Sequence, residues 1–202
     1  MRNLVVWSGG CDSTLVLHNL AKLSSKDSPV IAISVDWKEK LDSMKVLKEK
    51  EARNNYLTYA KQKGFHIKNY TVTLSSTLGI KASGYTQVCL WFCAIMPFIE
   101  NGDKIYFGYH RGDGFWGCSS NIHYAFEQLS CIRSLKKVEI KYPLAADSKC
   151  EVLKKLFALK IPRKCFWWCE SPVKKRNGIV MCGKCNPCIT HKLALYERKI
   201  RK

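Results

Sequence analysis

The segment Leu4-Val5-Val6-Trp7-Ser8-Gly9-Gly10-Cys11-Asp12-Ser13-Thr14-Leu15-Val16-Leu17 constrains the fold more than any other part of the chain. Its β-branched, apolar start reads as a buried strand that ends at two glycines. The apolar, hydroxyl-capped run that follows reads as a helix opening at Asp12 or Ser13. A tight loop between a strand and a helix leaves backbone N–H groups unpaired at the positive end of the helix, and glycine removes the Cβ that would keep a ligand away. An anion is the expected ligand, a phosphate foremost. The plainer alternative is a strand-to-helix turn that merely favours small residues.

The rest of the chain repeats this alternation. Val30 to Val35 reads as a second buried strand ending at Asp36, and residues 43 to 63 as a long amphipathic helix stopped by Gly64. Residues 65 to 74 alternate like a strand, 79 to 84 form a loop, 86 to 100 read as a buried helix despite Pro97, and 104 to 107 as a short strand. A glycine-rich loop at 108 to 117 precedes a helix at 119 to 132, a strand at 138 to 140 and a helix at 149 to 159. Alternating strands and helices predict an α/β fold with a parallel sheet covered by helices on both faces. Ligands of such sheets bind beyond the carboxyl ends of the strands, so the loops at 8–14, 36 and 108–118 should share one crevice.

With 202 residues, 47% of them hydrophobic, the chain has material for one core and a small appendage. The expected division is a nucleotide-binding domain over 1–160 and a cysteine-rich region over 161–202. Polar Ser8-Gly9-Gly10 interrupts the opening apolar run and no stretch approaches a membrane span, so the expectation is a cytoplasmic protein without a membrane partner. The net charge of +18 favours anionic partners. Residues 151 to 202 carry 14 Lys or Arg against three Glu, which suits a solvated basic face and leaves nucleic acid open as a partner, though not a required one.

Eleven cysteines without an export signal read as thiols rather than a disulfide framework. Cys182-Gly-Lys-Cys185-Asn-Pro-Cys188 places two CxxC spacings in succession, and Cys169 is a more distant fourth ligand that closes a tetrahedral site. Four thiolates make a closed, structural zinc site, which would pin the loop holding Lys174-Lys175-Arg176. Cys165 competes as fourth ligand, His191 more weakly, and an iron–sulfur cluster is the chemical rival. Cys89 and Cys93, four apart in an apolar helix, are expected in the core.

The loop is neither a Walker A motif nor a dinucleotide GxGxxG. It resembles the SGGxDS loop of the PP-loop ATP pyrophosphatases, with Ser8, Gly9, Gly10, Asp12 and Ser13 at the fixed positions. Together with the four cysteines, Tyr142-Pro143-Leu144, Ser148-Lys149-Cys150-Glu151-Val152-Leu153, Ile161-Pro162 and Trp168-Cys169, it is similar to the 7-cyano-7-deazaguanine synthase family. The place of Trp168-Cys169 in that pattern favours Cys169 over Cys165.

The resemblance implies a PP-loop fold of the adenine nucleotide alpha hydrolase type, with ATP, Mg²⁺ and Zn²⁺ as cofactors. The substrates would be a deazapurine acid, 7-carboxy-7-deazaguanine, and ammonia; a homodimer is compatible. Nucleotide contacts would fall on Trp7, Ser8, Gly9, Gly10, Cys11, Asp12, Ser13, Thr14, Leu15, Val16 and Leu17, and catalytic roles on Asp12, Ser13 and Lys149. The acid would attack the α phosphorus of ATP and release pyrophosphate into the loop, ammonia would displace AMP, and a second ATP would convert the amide to a nitrile. Two stretches depart from the family: Ala82-Ser83-Gly84-Tyr85-Thr86-Gln87 stands where it has Pro-Gly-Arg-Asn, and Trp116-Gly117-Cys118-Ser119 where it has Asp-Cys-Arg. An arginine and an acid are therefore missing, with Arg111 and Lys149 as remaining cations. The competing readings are a PP-loop enzyme that adenylates a base in tRNA or another nucleic acid, and a non-catalytic nucleotide-binding module.

Overall fold

The computed structural model describes residues 1–75 and 84–200. Strand β1 (Asn3–Val6) is followed by helix α1 (Cys11–Ala21), β2 (Val30–Trp37), α2 (Met44–Gln62) and β3 (Ile67–Leu74). Then come α3 (Gly84–Ile95), β4 (Lys104–Tyr106), α4 (Ser119–Ile132), β5 (Glu139–Lys141) and α5 (Lys149–Ala158). The chain closes with a hairpin of β6 (Val173–Lys175) and β7 (Gly178–Val180), and helix α6 (Asn186–Ile200).

Strands β1 to β5 form one parallel sheet in the order β3-β2-β1-β4-β5. The alternation of β1 shows why both faces need cover. Val5 and Trp7 enter a cluster with Leu15 of α1, Tyr56 of α2 and Val152 and Leu156 of α5, whereas Leu4 and Val6 enter another with Phe92 and Ile95 of α3 and Ile122 and Phe126 of α4. Each fully buried aliphatic or aromatic side chain contributes about 1.5–3 kcal/mol, so neither face is stable bare. The chain runs outward from β1 through β2 to β3, then returns to pair β4 on the other side of β1. The loops after β1 and β4 thus flank the switch point, the place where an open α/β sheet leaves a crevice.

Several elements differ from the expectation. Helix α1 opens at Cys11 with Gly10 as N-cap, one turn position before Asp12. The stretch at 86–100 is α3 followed by a 3₁₀ turn at Met96–Phe98, because Pro97 lacks the N–H that an α-helix needs. Cys89 and Cys93 are exposed rather than in the core: the buried stripe of α3 is Val88, Phe92 and Ile95, at helical spacing, and this turns both thiols outward. Of the loop expected at 79–84, residues 79–83 lie outside the described residues. Of the Lys174-Lys175-Arg176 segment, Lys174 and Lys175 lie in β6 and Arg176 in the turn of the β6–β7 hairpin, so it is not a bare loop.

The cysteine-rich part shares a core with the sheet. Cys165 to Cys169, Cys188 and Ala194 belong to the same buried cluster as Val5, Trp7 and Leu15, across residue 160. Among the described residues, no helix is long and apolar enough to cross a membrane.

Candidate functional site

The loop after β1 is held open by its own hydroxyls and by glycine. The Ser8 amide donates to Ser13 Oγ (3.3 Å), the Gly10 amide to Ser8 Oγ (3.1 Å), and the two serine hydroxyls lie 3.2 Å apart. Gly9 has φ +90°, and a Cβ there would stand 2.5 Å from the Glu49 carbonyl oxygen of α2. No other residue fits that position. Gly108, after β4, is equally constrained, since a Cβ would lie 2.7 Å from the Ser13 nitrogen. The loops after β1 and β4 therefore touch backbone to backbone at the start of α1.

Asp12 sits in the first turn of α1, and its two carboxylate oxygens differ. Oδ2 accepts from the Lys149 ammonium at the start of α5, where Ser148 and Glu151 form a capping box that fixes the helix entry. Oδ1 is buried and has no hydrogen-bond partner. An orphaned carboxylate oxygen beside a glycine loop is the group expected to meet a cation that arrives with a phosphate ligand. Burial alone lowers the Lys149 pKa, but the Asp12 carboxylate beside it raises it by more, so the ammonium stays protonated. The neighbouring Cys11 thiol is pushed up to about 12 by burial and by Asp12, which leaves it a neutral filler and no nucleophile.

A second buried pair stands at the end of β2. Arg53 of α2 donates both to Asp36 (3.0 and 2.9 Å) and to the carbonyl oxygen of Ser8 (2.9 Å). One guanidinium thus ties β2, α2 and the phosphate loop together. Nearby, burial raises the Glu49 carboxyl to about 7, with Glu170 adding to the rise and Lys45 and Arg53 opposing it. Lys45 bridges to Glu170 at 2.8 Å.

Four thiols converge as their spacing predicts. The sulfurs of Cys169, Cys182, Cys185 and Cys188 all lie within 4.8 Å of one another, and those of Cys169 and Cys185 are 3.9 Å apart. Bonds of about 2.3 Å around one tetrahedral ion put the sulfurs about 3.8 Å apart, so the set fits a single metal ion. Backbone N–H groups of Lys184 and Cys185 hold the Cys182 thiol down at about 6, which favours the thiolate that a metal needs. Cys165 lies outside this group, buried in the core. His191 stacks on Trp168 at 3.9 Å instead of joining it.

The thiol cluster and the phosphate loop are joined through Trp167. The Cys11 amide donates to the Trp167 carbonyl oxygen (3.1 Å), and the Trp167 amide to the Gly9 oxygen (3.0 Å), a parallel bridge outside the sheet. The Trp167 indole N–H donates to the Cys169 oxygen at 2.8 Å. Cys169 is thus two residues from the bridge to the loop.

Around this frame lie two adjoining cavities. The larger, about 430 Å³, is lined by residues of the phosphate loop with Lys149, Arg53, Lys45 and Trp167. The smaller, about 170 Å³, is lined by Ser8, Asp12 and Ser13, by Val35, and by Phe107, Gly108, Tyr109 and Asp113. The loops after β1, β2 and β4 share the crevice as expected.

Not every expected residue reaches it. Ser8, Gly10, Cys11, Asp12 and Lys149 line the larger cavity, and Trp7 and Ser13 the smaller. Thr14 is fully buried and its hydroxyl accepts from the Trp7 indole (3.0 Å), so it supports the loop from beneath. Leu15, Val16 and Leu17 are buried in the core, packing α1 onto the sheet. Arg111 is exposed and faces Glu151 at 3.5 Å. Of the two departures from the family pattern, Ala82 and Ser83 lie outside the described residues, while Trp116 donates its indole N–H to the His110 oxygen (2.8 Å) in a 3₁₀ turn. The sequence reading missed Arg53, Trp91, Tyr109 and Trp167. Asp36 was the available signal for Arg53, since an acid closing a buried strand calls for a buried cation.

The chain spans 65% of the length of a U34-tRNA thiolase, NcsA from Methanococcus maripaludis, whose structure carries a [4Fe-4S] cluster; the two share 16% identity over 100% of this chain, with a TM-score of 0.49. No curated protein matches the chain. The family model described as queuosine biosynthesis protein QueC matches residues 87–199, from α3 through the four thiols and most of α6. That match spans more than half of the chain, and the chain belongs to the QueC family.

Proposed function

We propose that the protein is an ATP-dependent enzyme that cleaves ATP between its α and β phosphates and joins ammonia to a deazapurine acid. The observation that carries this reading is Asp12, whose Oδ1 is buried without a partner at the mouth of a glycine loop while Oδ2 is held by Lys149. The residues fit the groups required. Asp12 Oδ1 would hold Mg²⁺, which offsets phosphate charge. The four thiols would hold one Zn²⁺: a cluster spreads its thiolates over several irons, whereas these sulfurs crowd around one centre.

In the proposed reaction the acid's carboxylate oxygen attacks the α phosphorus, and the bond from that phosphorus to the bridging oxygen breaks. The pyrophosphate leaves against the loop, where Ser8 and Ser13 offer hydroxyls and α1 its positive end. Lys149 offers a fixed ammonium to the developing negative charge. Ammonia then attacks the acyl carbon, AMP departs with its oxygen, and the nitrogen loses a proton to give the amide. The amide oxygen then attacks the α phosphorus of a second ATP with release of a second pyrophosphate, and loss of AMP and two protons leaves the nitrile. The protein contributes position and electrostatics, not a covalent nucleophile.

The test is incubation with α-labelled ATP, Mg²⁺, ammonia and 7-carboxy-7-deazaguanine, with products read by mass spectrometry. AMP, pyrophosphate and the nitrile are expected, along with one zinc per chain by elemental analysis. ADP as product would end the reading. The missing family arginine and acid, together with the basic residues of 151–202, support one other acceptor, a base in RNA. AMP release stimulated by tRNA, steeply weakened by salt, would favour that acceptor.

A further inference from the structure

Strand β3 is an open edge of the sheet. It is eight residues long, stands at one end of the strand order, and among the described strands pairs with β2 alone. In a parallel ladder only alternate residues turn their backbone groups toward a given neighbour. The Val30 amide donates to the His66 oxygen (3.0 Å), so the even-numbered residues of β3 face β2, and Ile67, Asn69, Thr71 and Thr73 turn their N–H and C=O groups outward. Asn69, Thr71 and Thr73 are exposed. Proteins blunt such edges with charge, proline, a bulge or a covering element. Asn69 to Leu74 contains neither a charged residue nor proline, and the ladder with β2 runs without a bulge from Val30 and Ile67 to Trp37 and Leu74. An edge left this way is a template for one more strand.

The surface beside it gives the chemistry of that strand. A cavity of about 450 Å³ adjoins the start of β3, at the amino ends of β2 and β3 and therefore at the end of the sheet opposite the crevice. Leu57, Phe65 and Ile67 give it an apolar floor. Lys26, Lys61 and Lys68, all exposed, give it positive charge, and no Asp or Glu is among the described lining residues. The opposite face of β3 is apolar without charge: Tyr70, 42% exposed, leans on Phe98 at 5.1 Å, and Val72 packs into the cluster of α3. A second copy of this chain would bring a charge of +18 to +18 with no acid in β3 to offset it. A nucleic-acid strand would set its phosphates against the outward carbonyl oxygens.

We propose that the β3 edge and this cavity form a docking site for an extended acidic peptide segment of a partner protein, which adds to β3 as a sixth strand. Its backbone exchanges hydrogen bonds with Asn69, Thr71 and Thr73. On the α2 side an acidic side chain lays its aliphatic stem over Leu57 and Ile67 and brings its carboxylate to Lys26 and Lys61; on the other side the alternate, apolar residues meet Tyr70. The site lies away from the phosphate loop, so it stands or falls independently of the ATP reaction.

The probe is a fluorescein-labelled eight-residue peptide of alternating Glu and Val, compared by fluorescence anisotropy with its Lys and Val counterpart and with oligouridylate. Hydrogen exchange of the backbone amides is followed by NMR in parallel. The Glu peptide should bind at least about tenfold more tightly than the Lys peptide and lose affinity in salt. The Asn69, Thr71 and Thr73 amides should exchange fast in the free protein and slow down on binding, while the even-numbered amides of β3 are protected throughout. Thr71→Pro removes an outward N–H and leaves the ladder to β2 intact, so it should weaken the peptide at least about fivefold. Lys61→Glu, on the exposed surface of α2, should weaken it about tenfold and serves equally if Thr71→Pro does not fold. Equal affinity for the Glu and Lys peptides, or a Glu peptide that ignores both substitutions, would overturn the proposal. So would oligouridylate bound more tightly than the Glu peptide and slowing the same amides, which would put nucleic acid at the edge, or a dimer in sedimentation equilibrium whose odd-numbered amides are already protected without peptide, which would put a second copy there.

Discussion

Removing the metal should loosen the grip on ATP, although no cysteine of the cluster touches the phosphate loop. Trp167 is the link, with its amide on Gly9, its carbonyl on Cys11 and its indole on the backbone of Cys169. Without metal, Cys169 and Trp167 lose their anchor, and the two backbone bonds at 3.0 and 3.1 Å must be re-formed whenever phosphate binds. At about 1 kcal/mol net for each bond, the penalty is about 2 kcal/mol. That corresponds to about 30-fold weaker ATP binding. Equilibrium dialysis with labelled ATP, before and after chelation, measures it, with circular dichroism to confirm that the sheet and helices persist. Trp167→Ala gives a second reading, since it cuts the indole link while leaving all four thiols; it should keep its metal and still bind ATP several-fold more weakly. Equal ATP affinity in the metal-free protein with its helices intact, or in Trp167→Ala, would show that the bridge does not transmit the metal's hold.

Three other outcomes follow from the packing. Arg53→Met removes both hydrogen bonds to buried Asp36 and leaves it only Lys50 at 3.7 Å, so it should destabilise the protein by up to about 3–5 kcal/mol in urea unfolding; a loss below about 1 kcal/mol would mean that Lys50 or water takes over the pairing. Gly108→Ala forces a Cβ to 2.7 Å from the Ser13 nitrogen, so ATP turnover should collapse while the metal content measured by elemental analysis stays unchanged. His18 is buried, and its pKa is lowered to about 4 by burial and by Lys22, so the unfolded chain binds its proton first as pH falls. The stability difference between the wild type and His18→Gln in urea unfolding should be level above about pH 6.5 and shrink by up to about 3 kcal/mol between pH 6.5 and 4, because the opposing shift of Glu49 and the parallel one of His191 are common to both proteins.

What could be read from the sequence is what acts over a few residues or through fixed ligand geometry. A β-branched apolar run and the glycine pair identified the strand, loop and helix at 3–21, because backbone freedom and burial are decided within one turn. CxxC spacing identified the thiols that converge, because two thiols three apart can reach one ion. Tertiary structure decided the rest. The orientation of α3, which exposes Cys89 and Cys93, depends on which stripe meets the sheet. The hairpin and α6 needed the thiol cluster and the shared core to hold a highly charged segment in place. Above all, Arg53 reaches Asp36 and Ser8, Trp167 reaches Gly9 and Cys11, and Lys149 reaches Asp12 across separations of 17 to more than 130 residues. No local rule covers contacts at those distances in sequence: they form because the sheet order brings the ends of β1, β2 and β4 together, and burial then requires each polar group to find a partner.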